Sequence, residues 1–124
     1  MAPAASVAVL VVSCDAYRQR RTDWVDLAPR VLSPRELRVL DGLPAAQRRR
    51  AFFDAWTRKE AYLKATGDGL SDALVAVEVS LAPNEEPTLL SVPGGIESAR
   101  AWIMRAIPVP GDFAGAVVVA GRQE

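Results

Sequence analysis

The sequence predicts an α+β fold, a small antiparallel sheet of three to five strands packed against one long helix and the shorter helices before it. Three observations lead there. A continuous β-branched and apolar run, Ser6 to Cys14, has the character of a buried strand. From Ala45 to about Thr66, Phe52, Phe53, Trp56, Leu63 and the flanking alanines recur with a helical period, not a strand period. After Leu70 the chain becomes a series of short apolar segments separated by proline- and glycine-rich turns. The 124 residues are enough for one core, so a single domain covering 1–124 is expected.

Taken in order, the first strand delivers Asp15 at its C-terminal end. Val11-Val12-Ser13-Cys14 has the look of a lipoprotein cleavage site. No Lys or Arg precedes it, however, and the apolar run is short for a signal, so the strand reading is preferred. Arg18-Gln19-Arg20-Arg21 is a basic cluster, either a solvated loop or a phosphate contact. Asp23 is a candidate N-cap for a short segment, Trp24 to Val31, whose Trp24, Leu27 and Val31 have helical spacing. Pro29 inside it predicts a short or broken helix. Leu32-Ser33-Pro34-Arg35-Glu36 is a helix start: Ser33 caps, Pro34 takes the first helical position and Glu36 closes a capping box. That helix stops at Gly42 and is expected to pack through Leu37, Val39 and Leu40. Pro44 opens the long helix, and Gly67 suits a left-handed cap at its end. Strands are then expected over Ala73–Leu81, Thr88–Val92, Ala99–Ile107 and Ala114–Ala120.

Composition excludes several classes of function. Lys plus Arg and Asp plus Glu are both 15, which gives no electrostatic case for nucleic-acid binding. There is no histidine and one cysteine, Cys14. Ser-His-Asp and Cys-His catalysis, histidine-ligated zinc and an intrachain disulfide are therefore all excluded. A metal site would be an oxygen site, which suits magnesium. No apolar run is long enough to span a membrane, and a cytoplasmic location is expected.

Trp56, Glu60 and Lys64 lie four apart and so share one helix face. The face presents an aromatic ring, a carboxylate and an ammonium. A divalent metal would use the carboxylate, and a phosphate would use the lysine. Glu followed four residues later by Lys is also the commonest helix surface pair, worth about 0.2–0.5 kcal/mol. Arg48, Arg49 and Arg50 form a band that is either a solvated face or a docking surface for an acidic partner.

The whole string carries more than the pair. Trp56, then Lys59-Glu60-Ala61, Lys64-Ala65, Gly67 and Gly69-Leu70 closely resembles the signature of the 4′-phosphopantetheinyl transferase superfamily. These enzymes move the phosphopantetheine arm of coenzyme A onto a serine of a carrier protein. The strand ending in Asp15 and the Leu32-Ser33…Glu36 segment match further family features. Phe113-Ala114-Gly115-Ala116-Val117 is similar to the closing strand of the Sfp-type enzymes. The similarity covers nearly the whole chain, but to the second half of an Sfp-type enzyme, whereas the length is that of an AcpS-type enzyme.

The resemblance implies roles for particular residues. Asp15 and Glu60 hold magnesium (Mg2+), and Glu60 also helps deprotonate the carrier serine. Lys64 faces the phosphates of coenzyme A and stabilises charge on the transferred group. Lys59 is a further phosphate contact, and Trp56 packs beneath the site. It implies an acyl or peptidyl carrier protein as partner, no nucleic acid and no membrane. A homo-oligomer or a separate first-half subunit would complete the site. The chain departs from the pattern in two ways: Tyr17 stands where the family has a second acidic ligand, and the family's histidines are absent. A non-catalytic half that binds a carrier protein or a partner subunit is thus the alternative to an active transferase.

Overall fold

The computed structural model describes residues 7–13, 24–66, 74–109 and 113–120. The readings placed on Cys14, Asp15, Tyr17, Arg18 to Arg21, Asp23, Gly67 and Gly69 lie outside the described residues. In chain order the elements are β1 (Val7–Ser13), α1 (Trp24–Val31), α2 (Pro34–Asp41), α3 (Ala45–Thr66), β2 (Glu78–Val79), β3 (Leu89–Ser91), α4 (Ile96–Arg100), β4 (Trp102–Ala106) and β5 (Phe113–Ala120). The class is α+β, as expected from the sequence.

Two antiparallel sheets are present among the described residues. One has the order β1-β5-β4 and the other pairs β2 with β3. β5 is central. β1 pairs along it from Val7↔Val119 to Ser13↔Phe113, and β4 pairs on its other side from Trp102↔Ala120 to Ala106↔Ala116. Helix α3 lies across β5 and β1. Ala114, Ala116 and Val118 of β5 are fully buried, and the two alanines let the helix backbone come close. The alternate residues Gly115, Val117 and Val119 stay half-buried, because successive side chains of a strand point to opposite faces.

The three longer helices begin and end where the sequence predicts. The Ser33 side chain accepts from the Glu36 N–H at 3.2 Å, and the Glu36 carboxylate accepts from the Ser33 N–H at 2.8 Å. This is the expected capping box, with Pro34 at the helix start. Pro29 does not break α1, which continues for eight residues. α2 packs through Leu40 and the buried Glu36, while Val39 is 37% exposed and is not a core residue.

Between Ala51 and Leu63, only Asp54, Trp56 and Glu60 keep partial exposure, so α3 is buried on nearly every side. Phe52 packs at ring-centroid distances of 5.6 Å from Trp24, 5.0 Å from Phe53 and 5.5 Å from Trp56. Tyr62 meets Trp102 edge-on at 5.4 Å and ties α3 to β4.

Of the four strands expected after α3, the last, Ala114–Ala120, is β5 with Phe113 added, and the other three are shorter than the alternation suggests. Of Ala73–Leu81 only Glu78–Val79 is strand, because Leu74 to Val77 forms a turn closed by the Val77 N–H donating to the Leu74 carbonyl at 3.2 Å. Thr88–Val92 contracts to Leu89–Ser91. The first part of Ala99–Ile107 is helical. Gly95, with φ of 99°, turns the chain into α4, and Trp102 starts the strand. A side chain at Gly95 would strain this left-handed backbone.

Candidate functional site

α3 is exposed or half-buried over Ala45–Arg50 and again from Lys64, and within its buried section partial exposure persists at Asp54, Trp56 and Glu60. Trp56 and Glu60 are half-buried and Lys64 is exposed. Their spacing along a continuous helix stacks them on one face. Trp56 is wedged against Phe52 and stacks on Phe53, with planes 15° apart and centroids at 6.2 Å. The Arg49 guanidinium lies over the other aromatic of that step, 5.2 Å from the Phe53 centroid. The aromatic floor therefore fixes the start of the stripe, while Lys64 in the last turn reaches solvent.

Lys59 is different. It is 0% exposed, and its ammonium donates to the Val31 carbonyl at 2.7 Å, to the Leu74 carbonyl at 2.9 Å and to the Glu36 carboxylate. An ammonium has three donors, and all three are used. The expectation that Lys59 contacts phosphate does not hold here, because its charge is committed inside the protein. Glu36 is 1% exposed and takes a further bond from the Val79 N–H at 2.6 Å. Burial pushes the Glu36 carboxyl above its ordinary range, against the pull of Lys59, Ser33 and Val79. Burial likewise draws Lys59 down, against Glu36 and Glu78. Both shifts favour the neutral forms.

Reasoning from sequence missed Glu36 as anything beyond a cap. The signal that could have found it is Lys59 itself, a cation inside a run of buried positions that has to meet an acceptor.

The arginine band resolves into local contacts. Arg48 donates to the Leu43 carbonyl at 2.9 Å and the Asp41 carbonyl at 3.0 Å, and Arg50 pairs with Asp54 at 3.0 Å. Arg58, 8% exposed, donates to the Ser80 carbonyl at 2.7 Å and so ties α3 to the β2–β3 hairpin. Asp15 lies outside the described residues, although β1, which leads to it, packs against α3. Among the described residues no group of three side chains comes together that could hold a metal ion.

A family profile described as the 4′-phosphopantetheinyl transferase superfamily matches residues 11–118. The chain belongs to this superfamily. The 4′-phosphopantetheinyl transferase HetI of Nostoc is 39% identical over 105 residues, which is 85% of this chain and 41% of that protein. The chain thus spans about two fifths of the length of this curated superfamily relative. Among solved superfamily structures, the holo-(acyl-carrier-protein) synthase of Neisseria meningitidis superposes with a TM-score of 0.72 at 21% identity. The match covers 94% of this chain and 98% of that one. The synthase of Bacillus anthracis, solved with CoA (3′,5′-ADP), gives 0.68 at 20% identity over 93% of this chain and 94% of that one. At these identities the two structures establish the fold. The string that resembles the superfamily signature runs along α3 from Trp56 to Ala65, with Glu60 half-buried, Lys64 exposed and Lys59 buried.

Proposed function

We propose that this protein transfers the 4′-phosphopantetheine arm of coenzyme A to a serine hydroxyl of an acyl or peptidyl carrier protein, with magnesium. The observation that carries the reading is the stripe on α3. In the buried section of the helix, Ala51 to Leu63, Asp54, Trp56 and Glu60 keep partial exposure, Asp54 is paired with Arg50, and Lys64 stands exposed one turn beyond the signature carboxylate Glu60. The superfamily membership and the CoA bound by the Bacillus anthracis synthase support the substrate.

In this reading the carrier serine oxygen attacks the phosphorus that bears the pantetheine arm. The pyrophosphate bond breaks and 3′,5′-ADP leaves. Glu60 accepts the serine proton, directly or through a water. Lys64 offsets the charge on the phosphate oxygens as the leaving group departs. The donors fit magnesium: Glu60 offers hard carboxylate oxygen on a half-buried face, and Asp15 would be the second ligand. Magnesium, when bound, would neutralise pyrophosphate charge.

Partner contacts belong to the same proposal. The outer face of the larger sheet carries Ile103, 40% exposed, beside the half-buried Val117 and Val119. Ile103 and Val119 are register partners. Such a face suits a second copy or a complementary half-subunit. A non-catalytic protein that only binds such a partner is the second reading, favoured by Tyr17 in place of an acidic ligand and by the absence of histidine. No helix among the described residues is long and apolar enough to cross a membrane.

The test is intact-mass analysis of an apo carrier protein after incubation with this protein, coenzyme A and magnesium. A phosphopantetheine mass gain is expected. It should be lost in Glu60→Gln and without magnesium. No gain with several carriers would overturn the transferase reading in favour of the binding one.

A further inference from the structure

We infer that the buried Lys59–Glu36 pair sets the rotational and axial register of α3 and thereby acts as a positioning pair for Glu60 and Lys64. This rests on the transferase reading for what the two residues do once positioned.

The argument starts from the burial of α3. Apolar side chains lie all round it: Phe52, Phe53, Ala55, Ala61, Tyr62 and Leu63 are all buried. A helix with one apolar stripe has its rotation fixed by that stripe. A helix apolar on most sides does not. Sliding it by one residue advances it by about 1.5 Å and turns it by about 100°. That exchanges one set of buried apolar contacts for another, and hydrophobic burial is non-directional. Something directional has to choose the register.

Arg58 gives one directional bond, to the Ser80 carbonyl, and Lys59 gives three. Its three acceptors come from three separate places: Val31 at the end of α1, Glu36 in the first turn of α2, and Leu74 ahead of β2. Glu36 extends the link by accepting from Val79 of β2 and Ser33 of the α2 cap. Lys59 is therefore held directly against α1, α2 and the turn at Leu74, and through Glu36 against β2. A one-residue slip would strand an ammonium among apolar groups and orphan two buried carbonyls, both costly. Glu60 is the next residue, and Lys64 follows five positions after Lys59. A rigid helix passes the anchoring of Lys59 directly to both.

The pair is not there to add stability. Buried ion pairs are often replaced by apolar groups at no loss, and register is their best-attested use.

The test uses the full chain with Lys59→Met and Glu36→Gln combined. Met keeps the length of the lysine stem, and Gln keeps an oxygen for the Val79 or Ser33 N–H. Three readouts are taken: thermal unfolding, the KM and kcat of transfer, and the amide resonances of α3. The double variant should unfold cooperatively within about 5 °C of the parent. Its kcat should fall by about tenfold or more, with the KM for coenzyme A changed less than about threefold. Resonances from Ala55 to Lys64 should double or broaden. Parental kcat with one sharp set of α3 resonances would overturn the proposal. So would a loss of activity that only follows a loss of folded protein while α3 stays single and sharp. Lys59→Met alone leaves a Glu36 carboxyl that burial already pushes toward its neutral form, and it carries the same readouts if the double variant does not fold. Parent protein that transfers nothing removes the transferase reading, while the resonances still decide the register.

Discussion

Ser33 and Glu36 close the same capping box, yet their removal should cost different amounts. Ser33→Ala loses one bond to the Glu36 N–H and should destabilise by about 1 kcal/mol. Glu36→Ala also removes the carboxylate facing a buried ammonium and should cost about 3–5 kcal/mol. Urea unfolding of the two variants measures this, and equal losses would refute the distinction. The sequence showed the local half of Glu36, because a capping box spans three residues. It did not show the link to Lys59, because that link crosses 23 positions and exists only after the helices pack.

The same pair fixes a pH dependence. The folded-state Glu36 lies above its ordinary value of 4.5. Its contribution is therefore fully present below that value and is lost as pH rises through the folded value. The folded-state Lys59 lies below its ordinary value of 10.5. Its contribution is present above that value and is lost as pH falls through the folded value. Glu78, the other carboxylate acting on Lys59, opposes this shift. Relative to the Lys59→Met/Glu36→Gln variant, the parent should thus be least stable near neutral pH and gain toward both ends. Urea unfolding across pH tests the sign, and a relative maximum near neutrality would refute it.

At the scale of elements, α3 holds a second polar group in its buried section. Thr57 is 0% exposed, and its hydroxyl has no hydrogen-bond partner among the described residues. Thr57→Val keeps the shape and removes the buried hydroxyl, so it should stabilise by about 1 kcal/mol. A comparable loss in urea unfolding would show the hydroxyl to be bonded. Phe52→Ala, by contrast, empties the centre of the aromatic cluster and should cost about 3–5 kcal/mol. The helices were legible because their ends carry local chemistry, Ser33-Pro34 at one and Pro44 at another. β1 and β5 were legible as continuous apolar runs, but the strands between α3 and β5 were not, because their limits are set by partners. Val75, Val77 and Val79 alternate like a strand, but the Leu74 carbonyl is taken by Lys59 and the Val77 N–H. That double engagement holds a turn where alternation predicts extended chain. In the same way, Glu60 and Lys64 were readable from spacing and motif, while the inward turn of Lys59 depended on packing.

At the scale of the molecule, the site proposal depends on a partner meeting the outer sheet face. Ile103→Glu would place a charge on that face beside Val119. If the face is covered by a second copy, the variant should sediment as a smaller species than the parent while keeping its fold by circular dichroism. An unchanged sedimentation coefficient would remove this face from the assembly.

The central place of β5 has a further consequence, for the order in which the chain can fold. β1 and β4 do not touch each other in the sheet; each pairs with β5, which follows them both in the sequence of described strands. β1 therefore waits for β5. Closing that loop, Val7 to Val119, is an entropic cost met before any sheet contact repays it. Until then, the helices can form but α3 has no sheet to lie on. Folding should be a concerted event that waits for β5, and slower than the helix content alone would suggest.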